Sequence, residues 1–231
     1  MAYTKEEIIN KCKDAFKDPS TFYQADIINY RGKTADGIFY NEIVAEFVCD
    51  NLDDLSKDIK AITRKESYKT KSHTGEHNGS SNIREEEITA IKMFNQCKNG
   101  SVYDFIGKII DYQTPLKNTS KDEAGKIDLL SYDGKTLRIL ELKKKDSKET
   151  MLRCVLEGFT YLCTVNQAKI LKDFCLPDST EIVACPFVFF DEEQHKEMKE
   201  DRPWLKKAMM LMNSKPYYIK EENGYYKTTE G

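Results

Sequence analysis

Apolar residues recur at helical spacing near the start of the chain, and short apolar-rich segments bounded by turn and charged residues take over in its middle. Ile8, Ile9, Cys12, Ala15 and Phe16 line one side of a helix over 4–18, opened by a capping box between Thr4 and Glu7. The triplet Asp18-Pro19-Ser20 ends it. Ile43, Val44, Phe47 and Val48 predict a second helix over 40–50, and a third is expected over 52–64. Residues 65–82 then lose all apolar periodicity and read as a mobile loop or linker. A boundary placed there gives an N-terminal helical extension with its linker, 1–81, and a core, 82–231.

The core opens with a helix over 83–97, with Asn82 as N-cap and Glu85 three residues on. A strand follows over 105–112, then a charged loop, then strands over 126–132 and 136–143 around Asp133-Gly134. Asp-Gly between apolar segments is a strong hairpin signal, because a tight turn needs positive φ. A helix over 148–165, with Asp146 and Glu149 spaced as a capping box, precedes an apolar strand over 181–190. A charged helix over 192–212 and a hairpin around Asn223-Gly224 complete the chain. The order helix, three strands, helix, strand predicts an α/β sandwich with a mixed sheet.

A two-residue turn at Asp133-Gly134 pairs Tyr132 with Lys135 and Asp128 with Ile139. Alternation then puts Asp128, Ile139, Glu141 and Lys143 on one face, with Glu141 diagonal to Asp128 at roughly 7–8 Å between backbones. Ile127, Leu129, Leu140 and Leu142 fall on the other face as pure core. Two carboxylates so placed are expensive to bury alone, and the partner that suits them is a hard cation such as Mg²⁺. On the upstream helix, Glu87 falls inside the stripe of Ile83, Ala90, Ile91 and Phe94, while Glu85 and Glu86 point elsewhere.

Asp128 followed by Glu141-Leu142-Lys143 resembles the PD-(D/E)XK signature of restriction-endonuclease-like nucleases. The resemblance covers roughly residues 82–190 and adds Glu157-Gly158-Phe159-Thr160-Tyr161, which is similar to a QxxxY motif with Glu in place of Gln. Ile127 stands where the signature usually has Pro. The resemblance implies a restriction-endonuclease-like core in αβββαβ order. It further implies a nuclease, an endonuclease or related hydrolase, that cuts phosphodiester bonds of DNA with Mg²⁺ or Mn²⁺. It implies that Asp128, Glu141, the Leu142 carbonyl and Glu87 hold the metal, and that Lys143 orients or activates water. Arg153, Lys144, Lys145 and Tyr161 are the expected nucleic-acid contacts. The alternative is a catalytically inactive member of the fold that binds nucleic acid or serves assembly.

Composition narrows this picture. A net charge of −3 makes the whole molecule no polyanion magnet, so contact with nucleic acid must come from local clusters. Lys57, Lys60, Arg64, Lys65, Lys69 and Lys71 form one, open to two readings: a phosphate track or a solvated face. Seven cysteines without a CxxC pair exclude a zinc ribbon and read as reduced, buried thiols. No apolar run approaches the ~18–20 residues of a membrane span, and the first residues lack a leader's basic and apolar regions, so the expectation is a cytoplasmic protein without a membrane partner. A homodimer is compatible with the sequence. His73 and His77 sit in the polar stretch and read as surface imidazoles. Tyr217, Tyr218, Tyr225 and Tyr226 suit packing on the core or an oligomer interface, with base stacking as the other use.

Overall fold

The computed structural model describes residues 2–76, 84–118 and 125–230. Helix α1, Lys5–Ala15, starts at the capping box expected from Thr4 and Glu7. Helices α2, Tyr40–Asp50, and α3, Leu52–Asp58, follow. The third is shorter than the sequence suggests. Helix α4, Glu85–Lys98, leads into strands β1, Lys108–Pro115, β2, Lys126–Tyr132, and β3, Thr136–Leu142. Then come helices α5, Met151–Thr164, and α6, Gln167–Asp173, strand β4, Glu181–Phe189, and helices α7, Glu193–Lys199, and α8, Pro203–Leu211. Strands β5, Tyr217–Glu222, and β6, Tyr225–Glu230, close the chain.

The six strands form one mixed sheet in the order β1-β2-β3-β4-β5-β6. Hairpin-linked neighbours run antiparallel, whereas β3, β4 and β5 run parallel because helices span each crossover. One apolar cluster joins α5, α8, α1 and α2 to the sheet through Leu130, Ile139, Leu152, Val155, Met209, Ile8 and Val44. A second joins α4 to the opposite face through Ala90, Met93, Leu129, Leu140 and Phe187. The N-terminal helices thus share a core with residues on the far side of position 81. Among the described residues, no helix is long and apolar enough to cross a membrane.

Several boundaries differ from expectation. The charged helix over 192–212 is two helices, because Pro203 sits at the first turn of α8 and cannot continue α7. Helix α5 is capped by Thr150, whose hydroxyl accepts from the Arg153 N–H at 3.2 Å. The expected cap, Asp146, instead takes a positive φ of 60° in the preceding loop. Asn82, the cap expected for α4, lies outside the described residues, as do Ile83 and His77. Arg84 occupies the N-cap position without a side-chain cap. The strand expected over 105–112 begins at Lys108, after a bend in which Phe105 and Gly107 both have positive φ.

The polar stretch after residue 64 is pinned despite its composition. Tyr68 is fully buried; its N–H donates to Asp173 at 2.8 Å and its hydroxyl to the Ile62 carbonyl at 3.0 Å. His73 is not a free surface imidazole: its Nδ1 lies 2.7 Å from Asp111, and its ring stacks on Tyr112 at 4.6 Å between centroids. Tyr217, Tyr218 and Tyr226 are buried, and only Tyr225 of the four tail tyrosines is exposed.

Candidate active site

The β2–β3 turn decides how the two acids meet. Tyr132 pairs with Leu137 and Leu129 with Leu140, so four residues, 133–136, separate the partners of the last pair rather than two. The Asp133 carboxylate causes this, accepting from the backbone N–H groups of Lys135 and Thr136, both at 2.9 Å, with Gly134 at φ 101°. A shift of two keeps Asp128, Ile139 and Glu141 on one face, as expected. The register carried one residue further sets Asp128 directly across from Glu141 instead of diagonal to it. Leu130 and Ile139 face α5, whereas Leu129, Leu140 and Leu142 face α4. Ile127 departs from the expected set and packs with the α5-side cluster.

Asp128 is buried and held from two sides. Its Oδ2 accepts from the Leu142 N–H at 3.1 Å, and its Oδ1 accepts from Gln113 Nε2 at 2.9 Å. Gln113 in turn faces Arg84 at 3.4 Å. Glu141 Oε1 accepts from Lys143 Nζ at 2.9 Å, while its buried Oε2 has no partner. Lys143 Nζ also lies 2.8 Å from Glu157 Oε2 and 2.6 Å from Glu149 Oε2. Glu157 Oε1 accepts from the Tyr161 hydroxyl at 3.0 Å. Glu149 Oε1 pairs with Arg153 Nε at 2.8 Å. At Gly158 α5 packs on the strands at a distance where an added Cβ would make only ordinary contact, 3.5 Å from that of Ala184 and 3.7 Å from that of Glu141.

Three carboxylates, Glu141, Glu149 and Glu157, therefore contact Lys143, Glu149 also pairs with Arg153, and a fourth, Asp128, feels Lys143 only at longer range. The imbalance appears in their proton affinities. Burial pushes Asp128 up to about 6, with Glu157 adding to the shift and Lys143, Arg84 and the Leu142 N–H opposing it. Burial likewise raises Glu141 well above the ordinary carboxylate range, against the pull of Lys143. Burial works against Glu157 too, but Lys143 and the hydrogen bonds around it leave this carboxyl below its ordinary value. For Lys143, burial disfavours the charge, yet Glu141, Glu157 and Glu149 outweigh it and hold the ammonium well above a free lysine. Lys143 is thus a cation at neutral pH and a poor general base.

These groups line a cleft of about 970 Å³. Glu87, Lys144, Arg153 and Tyr161 border it. Glu87 is half-buried and reaches the cleft from the helix on the opposite face of the sheet. Glu86, expected to point elsewhere, borders the cleft as well. Lys145 does not: it lies in a separate depression with Phe189, Phe190 and Lys220. Arg153 is half-buried and donates to the Tyr23 carbonyl at 3.1 Å, so its charge is already engaged. Tyr161 is buried, with its hydroxyl committed to Glu157.

Sequence reasoning missed Gln113, Arg84 and the part played by Glu149. The spacing that suggested a helix cap at Glu149 was the signal available, but it pointed to the wrong role. The backbone ahead of α5 is fixed by distant residues. Arg31 and Gln194 each donate to the Glu149 carbonyl at 2.7 Å, and Asn29 accepts from the Thr150 N–H at 3.0 Å.

The fit of a divalent cation rests on the donor set. Two hard carboxylates stand opposite one another, and one buried oxygen of Glu141 is unpartnered. Asp128, Glu141 and the Leu142 carbonyl are the groups that would hold such an ion, with Glu87 at the border of the cleft. Among the described residues, no three His, Cys, Asp or Glu side chains are grouped to share one ion as they stand. The Lys143 ammonium fills the space among Glu141, Glu149 and Glu157. No family model, curated protein or solved structure matches this chain.

Proposed function

We propose that this protein is a metal-dependent nuclease that hydrolyses phosphodiester bonds, with DNA as its substrate. The carrying observation is the buried Asp128–Glu141 pair beside a permanently charged Lys143 in an open cleft. Buried ionised acids need compensation, and a proton or a divalent cation can each supply it. A bound Mg²⁺ or Mn²⁺ would polarise the phosphate and make water a better nucleophile.

The chain's own residues do the rest. Asp128 and Glu141 would hold the cation, with Asp128 oriented by Gln113 and by the Leu142 N–H. Lys143 places its positive charge beside the developing charge on the phosphate and helps to orient the attacking water. Glu157 and Glu149 keep that ammonium protonated and position it. At the mouth of the cleft, Arg84, Lys117, Lys126, Lys144 and Lys148 offer cations to a phosphate backbone.

The test is incubation with DNA in Mn²⁺ beside the variant Lys143→Ala. Metal-dependent cleavage by the parent, lost in the variant, supports the reading. Cleavage that survives in full refutes the role of Lys143. One observation favours a second reading, a catalytically inactive binding or assembly module: Lys143 already satisfies three carboxylates without an ion. That reading predicts DNA binding with no turnover in any metal.

A further inference from the structure

A second cavity of about 510 Å³ lies directly beside the cleft and shares Tyr161 and Gly125 with it. The two residues form one wall, because the phenol rests where Gly125 lacks a side chain: a Cβ there would stand 2.3 Å from the Tyr161 hydroxyl. The same hydroxyl donates to Glu157, which holds Lys143. An occupant of this cavity would therefore sit one side chain away from the reacting phosphate. Its volume falls in the ~300–1,000 Å³ range of small-molecule sites.

The lining is rich in acceptors. The Thr160 and Thr164 hydroxyl protons are spent within α5, on the carbonyls of Leu156 at 2.8 Å and Thr160 at 2.7 Å. Both side chains border the cavity with their hydroxyl donors already used. Asp58 and Asp18, the latter with Oδ1 already accepting from Ser20, add two carboxylates, and Lys60 is the one charged donor among the lining residues. Such a wall repels phosphate and suits a ligand edge that donates hydrogen bonds. Tyr23 and Ile62 supply apolar area for a flat ring.

We propose that this cavity receives a nucleobase bearing an exocyclic amine, adenine, cytosine or guanine, from the nucleotide whose phosphate occupies the neighbouring cleft. The proposal rests on the nuclease reading for the identity of the ligand. It makes the protein selective at one base next to the cut, through donor–acceptor pairing with Asp58 and Asp18 and packing against Tyr23. The base must leave its stack to enter, so single-stranded or frayed DNA is preferred over intact duplex.

The test uses free nucleosides, which need no cleavage. Methyl resonances of Thr160, Thr164 and Ile62 are followed while deoxyadenosine, deoxycytidine, thymidine or deoxyribose is added to the whole protein. Deoxyadenosine and deoxycytidine should shift them, with thymidine several-fold weaker and deoxyribose silent. Asp58→Asn, at an exposed position, should weaken deoxyadenosine about tenfold. No shift with any nucleoside, or equal shifts from deoxyribose, overturns the proposal. A second arm compares Mn²⁺-dependent cleavage of an oligonucleotide with that of the same strand abasic beside the cut. Slower cleavage of the abasic strand, by about tenfold, supports the pocket. Equal cleavage of both overturns it. If neither strand is cut while the nucleosides still shift the methyls, the nuclease reading fails and the base pocket stands.

Discussion

Replacing Glu141 by Gln should raise the stability of the metal-free protein while it removes the response to metal. Glu141 Oε1 accepts from Lys143, and an amide oxygen keeps that bond. The buried Oε2 has no partner, and an amide nitrogen there can donate towards Glu157, already within hydrogen-bonding reach of Glu141. Relieving a buried unpaired polar atom is worth about 1–3 kcal/mol, and weakening the charge-assisted bond to Lys143 costs about 1 kcal/mol. The net gain of roughly 1 kcal/mol corresponds to a Tm rise of ~2–4 °C for a chain of this size. The assay is thermal unfolding in EDTA and in Mn²⁺. In the parent, Mn²⁺ at a hundred times its Kd should add about 2.7 kcal/mol, and in Glu141→Gln that increment should vanish. A variant that melts lower in EDTA and gains as much from Mn²⁺ as the parent would refute the reasoning.

Lys143→Ala leaves Glu141, Glu149 and Glu157 without their shared cation, so the metal-free protein should lose about 3–5 kcal/mol by denaturant unfolding, part of it regained in Mn²⁺. Asp128 sits at about 6 when folded against 3.8 ordinarily, so the folded state binds a proton that the unfolded chain has already released. Asp128 should therefore contribute a fall of about 3 kcal/mol in metal-free stability as pH rises from about 4 to 6, Glu141, also raised, adds a fall of the same sign, and Asp128→Asn should remove only the first part in urea titrations. Thr150→Ala removes both the cap of α5 and the hydrogen bond to the Ile28 carbonyl at 2.8 Å, and should cost about 1–2 kcal/mol, read by the same titrations.

The shared face of Asp128 and Glu141 was legible in the sequence even though the turn was misjudged. Strand alternation has period two, so a slip of two residues moved the pairing without moving a side chain to the other face. The cage around Lys143 was only half legible. Glu157 is visible as a motif position, but Glu149 reads locally as a cap, and what fixes its backbone is Arg31 and Gln194, far away in the chain. The same limit explains His73. Its neighbours are polar and suggest solvent, whereas its partner Asp111 lies 38 positions on, in β1. The break at Pro203 was available from the residue itself and was overridden by the long charged pattern around it.

The most direct test of the account is incubation of the parent protein and Asp128→Ala with plasmid, linear and single-stranded DNA in Mg²⁺, Mn²⁺ or EDTA. A metal-dependent nuclease built on Asp128 should cleave at least one substrate with metal, and none in EDTA or with Asp128→Ala. No cleavage of any substrate by the parent in either metal, or undiminished cleavage by Asp128→Ala, would contradict it.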